Sequence, residues 1–342
     1  MHPKESGLHY RFVSATALML FSAVICAGGP AQASNAVDLD EIASGVAVSN
    51  SGLAVVGLAS AKRRVVVSTN GNTTHINVEC SVSDVEVDAA GIRGWSICND
   101  SMYLNVMQLP TGEFSSMDTS VTNAFEIEYS DAAKLLVILG AGGQLGVISV
   151  RSDADYELRS ISLGESAAGL ALSTTGNQAF ISTESGNLII VDTRSGKFRR
   201  IPVRLKGYQQ VFLGSLAIHP SGRFLFASGY ALKSGSSAYT AVVLTLNPTN
   251  GKSISSTTIA VDSTTIDLAA TTSSLYVGLG LSVAVPNGST GLLQFSVKRS
   301  GQLAAARAVS ASPLTVSELE LSANQRHLAV TTTNRQLLRL TP

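Results

Sequence analysis

The sequence predicts an all-β protein: a single seven-bladed β-propeller with four-stranded antiparallel blades. Two observations carry this. First, an apolar alternating strand, a four-residue polar turn and a second apolar strand recur seven times. The turns are Ser49-Asn50-Ser51-Gly52, Asp88-Ala89-Ala90-Gly91, Ser130-Asp131-Ala132-Ala133, Ser173-Thr174-Thr175-Gly176, His219-Pro220-Ser221-Gly222, Ala270-Thr271-Thr272-Ser273 and Ser322-Ala323-Asn324-Gln325. Their first residues are 39, 42, 43, 46, 51 and 52 apart. A period in the forties with this content marks one blade per repeat. Second, a glycine-bearing turn recurs later in the repeats, as in Asp192-Thr193-Arg194-Ser195-Gly196-Lys197 and Asn247-Pro248-Thr249-Asn250-Gly251-Lys252. Glycine supplies the positive φ that such a turn needs. Strands are lettered a to d, with a flanking the first turn.

Residues 1–33 read as a secretory signal. Lys4 and Arg11 give a positive start, residues 12–27 are almost wholly apolar, Gly28-Gly29-Pro30 breaks a helix, and Ala31-Gln32-Ala33 is an A-x-A cleavage site. An uncleaved anchor would want about 20 apolar residues, and this run is shorter. A lipoprotein would use Cys26, but Ile25 before it is large. The expectation is a periplasmic or secreted protein, not inserted in the membrane after cleavage, with residues 34–342 as one domain.

Residues 35–42 carry Val37 and Leu39 in alternation. Blade 7 shows strands near Leu319, His327 and Gln336 only, so the N-terminal stretch is expected to add its outer strand and close the ring. Blade 4 is the most regular: strands near Gly169, Gln178, Leu188 and Phe198 are joined by Glu184-Ser185-Gly186-Asn187 and the glycine turn. The same glycine turn appears as Leu109-Pro110-Thr111-Gly112-Glu113 in blade 2 and Lys298-Arg299-Ser300-Gly301-Gln302 in blade 6.

These phrases, with Ala217-Ile218-His219-Pro220-Ser221-Gly222-Arg223-Phe224-Leu225-Phe226, resemble the YVTN and lactonase-like group of seven-bladed propellers. The resemblance covers most of residues 34–342 and implies the fold. It does not imply the group's hydrolase activity, because the glycine-proline-arginine-histidine phrase associated with that activity is absent.

Composition excludes some functions. Basic and acidic residues balance at 24 each, and only 14% of residues are charged. A nucleic-acid binder should show a basic face and a high pI. Cys80 and Cys98 remain after signal cleavage. In an oxidising compartment they are expected to pair, with two buried thiols as the alternative. Cys80 is placed at the end of strand d of blade 1 and Cys98 at the end of strand b of blade 2.

Sites of chemistry are few. Gly140-Ala141-Gly142-Gly143-Gln144-Leu145-Gly146 looks like a dinucleotide loop, but a β-branched strand follows it rather than the helix that phosphate binding needs. It reads as a b–c hairpin. His75, His219 and His327 lack paired-ligand spacing, so no metal is expected. His219 reads as a turn residue. Asp38-Leu39-Asp40-Glu41 and Asp153-Ala154-Asp155 read as solvated edge charges. No G-x-S-x-G elbow occurs, and Trp95 alone cannot supply the recurrent tryptophans of quinoprotein propellers. No catalytic residue or cofactor is assigned.

One asymmetry remains. Blade 5 has a long b–c segment over residues 230–239, and blade 6 another over 281–290. With the d–a crossing at 206–210 they should share one face, placing Lys206, Tyr208, Tyr230, Lys233 and Tyr239 over blades 4 to 6. Loops on a rigid scaffold and tyrosines favour binding; neutral insertions at tolerant tips are the alternative reading. The leading expectation is a non-enzymatic binding or scaffolding module for a periplasmic or envelope protein or an anionic ligand. A lactonase-type hydrolase and a subunit of a periplasmic redox complex are the alternatives. A channel cluster of His, Glu and Arg would favour the enzyme.

Intact-mass measurement of the exported protein should give a chain beginning at Ser34. A mass retaining residues 1–33, or a lipid on Cys26, would contradict the reading of the N-terminus.

Overall fold

The computed structural model describes residues 34–109, 111–150, 156–236, 239–259, 263–281, 291–309 and 315–342. The signal region, Asp153 to Asp155 and nearly all of the blade-6 insertion lie outside the described residues.

The described chain forms seven four-stranded antiparallel sheets. Blade 1 holds β2 (Gly45–Val48), β3 (Ala54–Leu58), β4 (Arg63–Val67) and β5 (Thr73–Asn77). Blade 2 holds β6 (Val82–Val87), β7 (Arg93–Cys98), β8 (Tyr103–Gln108) and β9 (Phe114–Asp118). Blade 3 holds β10 (Ala124–Ser130), β11 (Leu135–Gly140), β12 (Gln144–Val150) and β13 (Tyr156–Ser162). Blade 4 holds β14 (Ala167–Leu172), β15 (Gln178–Thr183), β16 (Asn187–Asp192) and β17 (Phe198–Pro202). Blade 5 holds β18 (Tyr208–Ile218), β19 (Leu225–Lys233), β20 (Tyr239–Leu246) and β21 (Ser253–Thr258). Blade 6 holds β22 (Ser263–Ala270), β23 (Ser274–Leu281), β24 (Gly291–Ser296) and β25 (Arg307–Ala308). Blade 7 holds β26 (Val316–Leu321), β27 (Leu328–Thr332), β28 (Gln336–Leu340) and, outermost, β1 (Ser34–Asp38).

The ring therefore closes as the sequence predicts. β1 runs antiparallel to β28, pairing Val37 with Leu337 and Asp38 with Gln336. Just beyond it, the Leu39 amide donates to the Arg335 carbonyl at 2.7 Å. Leu39 then packs into the apolar layer shared by blades 7 and 1, beside Leu337, Val46 and Val56. Each of the seven apolar clusters lies between two neighbouring blades. A blade alone would leave both faces wet, so the core exists only as a ring.

The turns that reveal the repeat also tie neighbours together. Asn50 N donates to Ala89 O, and Ala89 N to Asp131 Oδ2. Thr272 N donates to Gln325 Oε1, and Asn324 N to Asn50 Oδ1 at 2.7 Å, joining the last blade to the first. His219 acts as the turn residue expected of it: its Nδ1 accepts from Ser221 N at 3.1 Å. Left-handed φ values fall where glycine predicts them, at +71° for Gly196 and +67° for Gly251. The glycine string after β11 is a hairpin into β12, with Gly143 at +75°. Trp95 is wholly buried and stacks, tilted, on Tyr129 at 4.5 Å between blades 2 and 3.

Cys80 and Cys98 form a disulfide with Cα atoms 5.9 Å apart. Cys98 ends β7 as expected. Cys80, however, does not end a strand: β5 stops at Asn77, and Cys80 lies in the crossing to β6. The reason is local. Val78 N turns back to bond Lys62 O, and the chain then leaves blade 1. The bond fastens blade 1 to blade 2 and contributes on the order of 3 kcal/mol in the chain-entropy account.

Deleting residues 34–42 should lower the melting temperature by many degrees, because β28 loses its partner and the blade 7–1 layer loses Leu39. An unchanged melting curve would contradict closure by this strand.

Candidate functional site: an acidic central channel

The innermost strands β2, β6, β10, β14, β18, β22 and β26 surround the axis, each packing on the next. Their alternation sends one set of side chains between blades and the other into the channel. The channel set is acidic. Asp84, Glu86, Glu126, Glu128, Asp267, Glu318 and Glu320 line a cavity of about 200 Å³, together with serines and apolar residues. No Lys, Arg or His is among its described lining residues. A second cavity of about 400 Å³ opens at the turn end, shares Glu128 and Glu320, and is rimmed by Thr174, Pro220 and Gln325.

The carboxylates form two tiers. Asp84, Glu126, Asp267 and Glu318 occupy the position at the bulge of β6, β10, β22 and β26. Glu86, Glu128 and Glu320 follow two residues later. Where blades 1 and 4 would add acids they have Gly45 and Gly169 instead. A Cβ at Gly45 would lie 2.5 Å from Asp84 Oδ1, so glycine there is what admits the carboxylate.

Some of these groups hold the ring. Asp84 Oδ2 accepts from Ile127 N of the next blade at 3.0 Å, and Glu86 Oε2 from Tyr129 N at 3.3 Å. Asp267 repeats the device, accepting from Leu319 N at 3.2 Å and from Ser215 Oγ at 2.7 Å. Glu126, Glu128 and Glu318 have no such donor among the described residues. They are turned into the axis without a partner of opposite charge.

Enclosure makes their charge expensive. Burial pushes Asp84 up to about 8, against the pull of the Ile127 and Val85 amides. Glu128 also rises to about 8, through burial and then repulsion from Asp84 and Asp267. Asp267, better hydrogen-bonded, reaches about 6. Glu86, Glu126, Glu318 and Glu320 are raised well above the ordinary range, by burial first and neighbouring carboxylates next.

The residues singled out from the sequence lie elsewhere. The segments expected as loops are largely strand. β18 has 11 residues, β19 has 9 and β20 has 8, whereas no strand of blades 1–4 or 7 exceeds 7. Blade 5 thus projects beyond its neighbours as a wing, with β22 and β23 of blade 6 at 8 residues each. The alternating apolar pattern continues through Val211, Leu213 and Ala231, which is why the strands extend. All five residues belong to this wing, but they divide between its two sides. Tyr208 pairs with Lys233 and packs toward blade 4. Tyr230 packs into the blade 5–6 layer, and Tyr239 is 53% exposed, edge-on to Phe212 at 5.7 Å. Lys206 and Lys233 are exposed, in segments joined by the bond from Ser234 N to Gly207 O.

Sequence reasoning missed the channel acids, although a signal existed. Glu86, Glu128 and Glu320 stand two residues before their turns, and Asp84, Glu126 and Glu318 four before.

No protein-family model and no curated protein matches this chain. Among solved structures, a chain of "Crystal Structure of Mitotic Checkpoint Complex" is similar, with a TM-score of 0.72 at 14% identity, covering 96% of this chain and 99% of that one. At that identity the likeness speaks for the fold alone: a seven-bladed propeller, with nothing in it that points to the YVTN and lactonase-like group.

The raised carboxyls set a pH dependence. The folded chain keeps protons that the unfolded chain releases above about pH 4. Their contribution is full below that point and falls as pH rises through about 8. The melting temperature should therefore fall from pH 5 to pH 8. A triple variant, Glu126→Gln, Glu128→Gln and Glu318→Gln, should flatten the profile. Equal slopes in both proteins would contradict the arrangement.

Proposed function

We propose that this chain is an exported, non-enzymatic binding module whose central channel receives cationic groups of a protein partner. The observation that carries this is the ring of seven carboxylates with no basic side chain among the described lining residues. Bringing a positive charge there would let the acids ionise, so binding is coupled to relief of their mutual repulsion. The carboxylate oxygens do not gather three within 4.8 Å of one another. That spread suits an extended cation, such as lysine or arginine side chains, better than one inner-sphere metal ion. An anionic ligand would find no basic side chain among the described lining residues to receive it. A hydrolase would want the mixed His, Glu and Arg set; the described lining is carboxylate, serine and apolar. The Cys80–Cys98 bond supports an oxidising compartment.

A second contact is supported by the blade-5 wing. Its projection carries Tyr239, Lys206 and Lys233 at exposed positions, with Tyr208 and Tyr230 packed against the layers on either side of blade 5.

Co-purification from the envelope should identify the partner. Its affinity should weaken by about 2 kcal/mol or more in the triple channel variant, with salt reducing wild-type binding. Full affinity in that variant would overturn the channel reading. Replacing Lys206, Lys233 and Tyr239 by Ala tests the wing alone; these are exposed, so the fold should survive.

A further inference from the structure

Arg64 lies in β4, and its side chain is wholly buried. Among the described residues, no hydrogen-bond acceptor reaches its Nε, Nη1 or Nη2. Alternation along β4 places it on the same face as Val66, which belongs to the apolar layer between blades 1 and 2. Its guanidinium carbon sits 5.8 Å from the centre of the Phe114 ring on blade 2.

The facing sheet offers a second orphan. Ser96 in β7 is also wholly buried, and its hydroxyl has no partner among the described residues. Ser96 shares a face with Cys98, so it too points into the blade 1–2 layer. The register aligns the two. Arg64 pairs with Gly57, and a Cβ on Gly57 would lie 2.7 Å from Val82 Cγ1 and 3.2 Å from Val85 Cγ1. Val85 pairs with Ser96, and Ser96 with Asn105. The row holding Arg64 therefore lies across from the row holding Ser96. Asn105 could have served as acceptor, but its Oδ1 takes the Ser116 hydroxyl at 2.6 Å and its Nδ2 faces the disulfide sulfurs.

Burial lowers the guanidinium only to about 10, so it is charged at neutral pH. A buried charge without a counter-charge is strongly disfavoured, and one ring at this distance does not replace the hydration given up. A water molecule would satisfy donors without balancing charge. A partner's carboxylate cannot reach a wholly inaccessible group. We propose that a small inorganic anion of chloride size binds between blades 1 and 2, held by the Arg64 guanidinium with the Ser96 hydroxyl as its neutral donor. Such an ion would be a structural element of the blade 1–2 layer, beside the disulfide that fastens the same pair of blades.

The test uses the mature, oxidised chain. Replacing gluconate by chloride at fixed ionic strength should raise the melting temperature by several degrees. Arg64→Met, which keeps volume and removes the charge, should abolish that rise. A bromide-soaked crystal should show an anomalous peak within hydrogen-bond reach of Arg64. Equal chloride dependence in the two proteins, or only ordered waters on the Arg64 nitrogens, would overturn the proposal. Should Arg64→Met fail to fold, the bromide peak decides alone.

Discussion

The structure depends on the pairing of β1 with β28. Without it the first and last blades share no covalent neighbour, and the layer between them is held only by side chains and two turn contacts. With it, blade 7 gains its outer strand and the seven apolar layers become one closed core. Closure also fixes how near the innermost strands approach the axis. That distance decides the chemistry of the channel, because side chains on strand a must share whatever space the ring leaves.

The channel is where the molecule departs from stability. Blades 2 and 3 supply four carboxylates and blades 6 and 7 three, while blades 1, 4 and 5 face the axis with glycine, alanine and serine. The acids are thus grouped in two sectors rather than spread evenly. Part of their cost is offset locally. Asp84, Glu86 and Asp267 accept backbone amides of the next blade, so they hold the ring while lining it. Glu126, Glu128 and Glu318 do no such work. Groups that burial and repulsion disfavour, and that no structural bond explains, are where a functional role is expected.

The fold was legible in the sequence because a blade is a local object. Strand, turn and strand lie within one repeat, and glycine or Ser/Asp at fixed places mark the turns. Even closure could be read, from three strands in blade 7 and the alternation of Val37 and Leu39. The site was less legible. An acid two residues before Asp88, Ser130 or Ser322 reads as the wet face of an alternating strand. It becomes a channel group only when strand a is known to be innermost, which is a property of the ring. The strands of the wing were hidden for the opposite reason: Tyr208 and Tyr230 look like loop aromatics by their polar neighbours, yet longer strands carry them into the layers on either side of blade 5. Arg64 gives no sequence signal at all, since alternate residues of Arg63-Arg64-Val65 differ only in which side of blade 1 they face.

The central claim is that the channel carboxyls are held protonated by one another and by burial, and are released to ionise by a cationic partner. Infrared spectroscopy of residues 34–342 at neutral pH measures this directly, through the balance of protonated carboxyl and carboxylate absorption. The account predicts a protonated band for several carboxyls, diminished by the Gln variant and converted to carboxylate when a basic partner peptide binds. Carboxyls fully ionised at neutral pH, with a spectrum indifferent to that peptide, would contradict it.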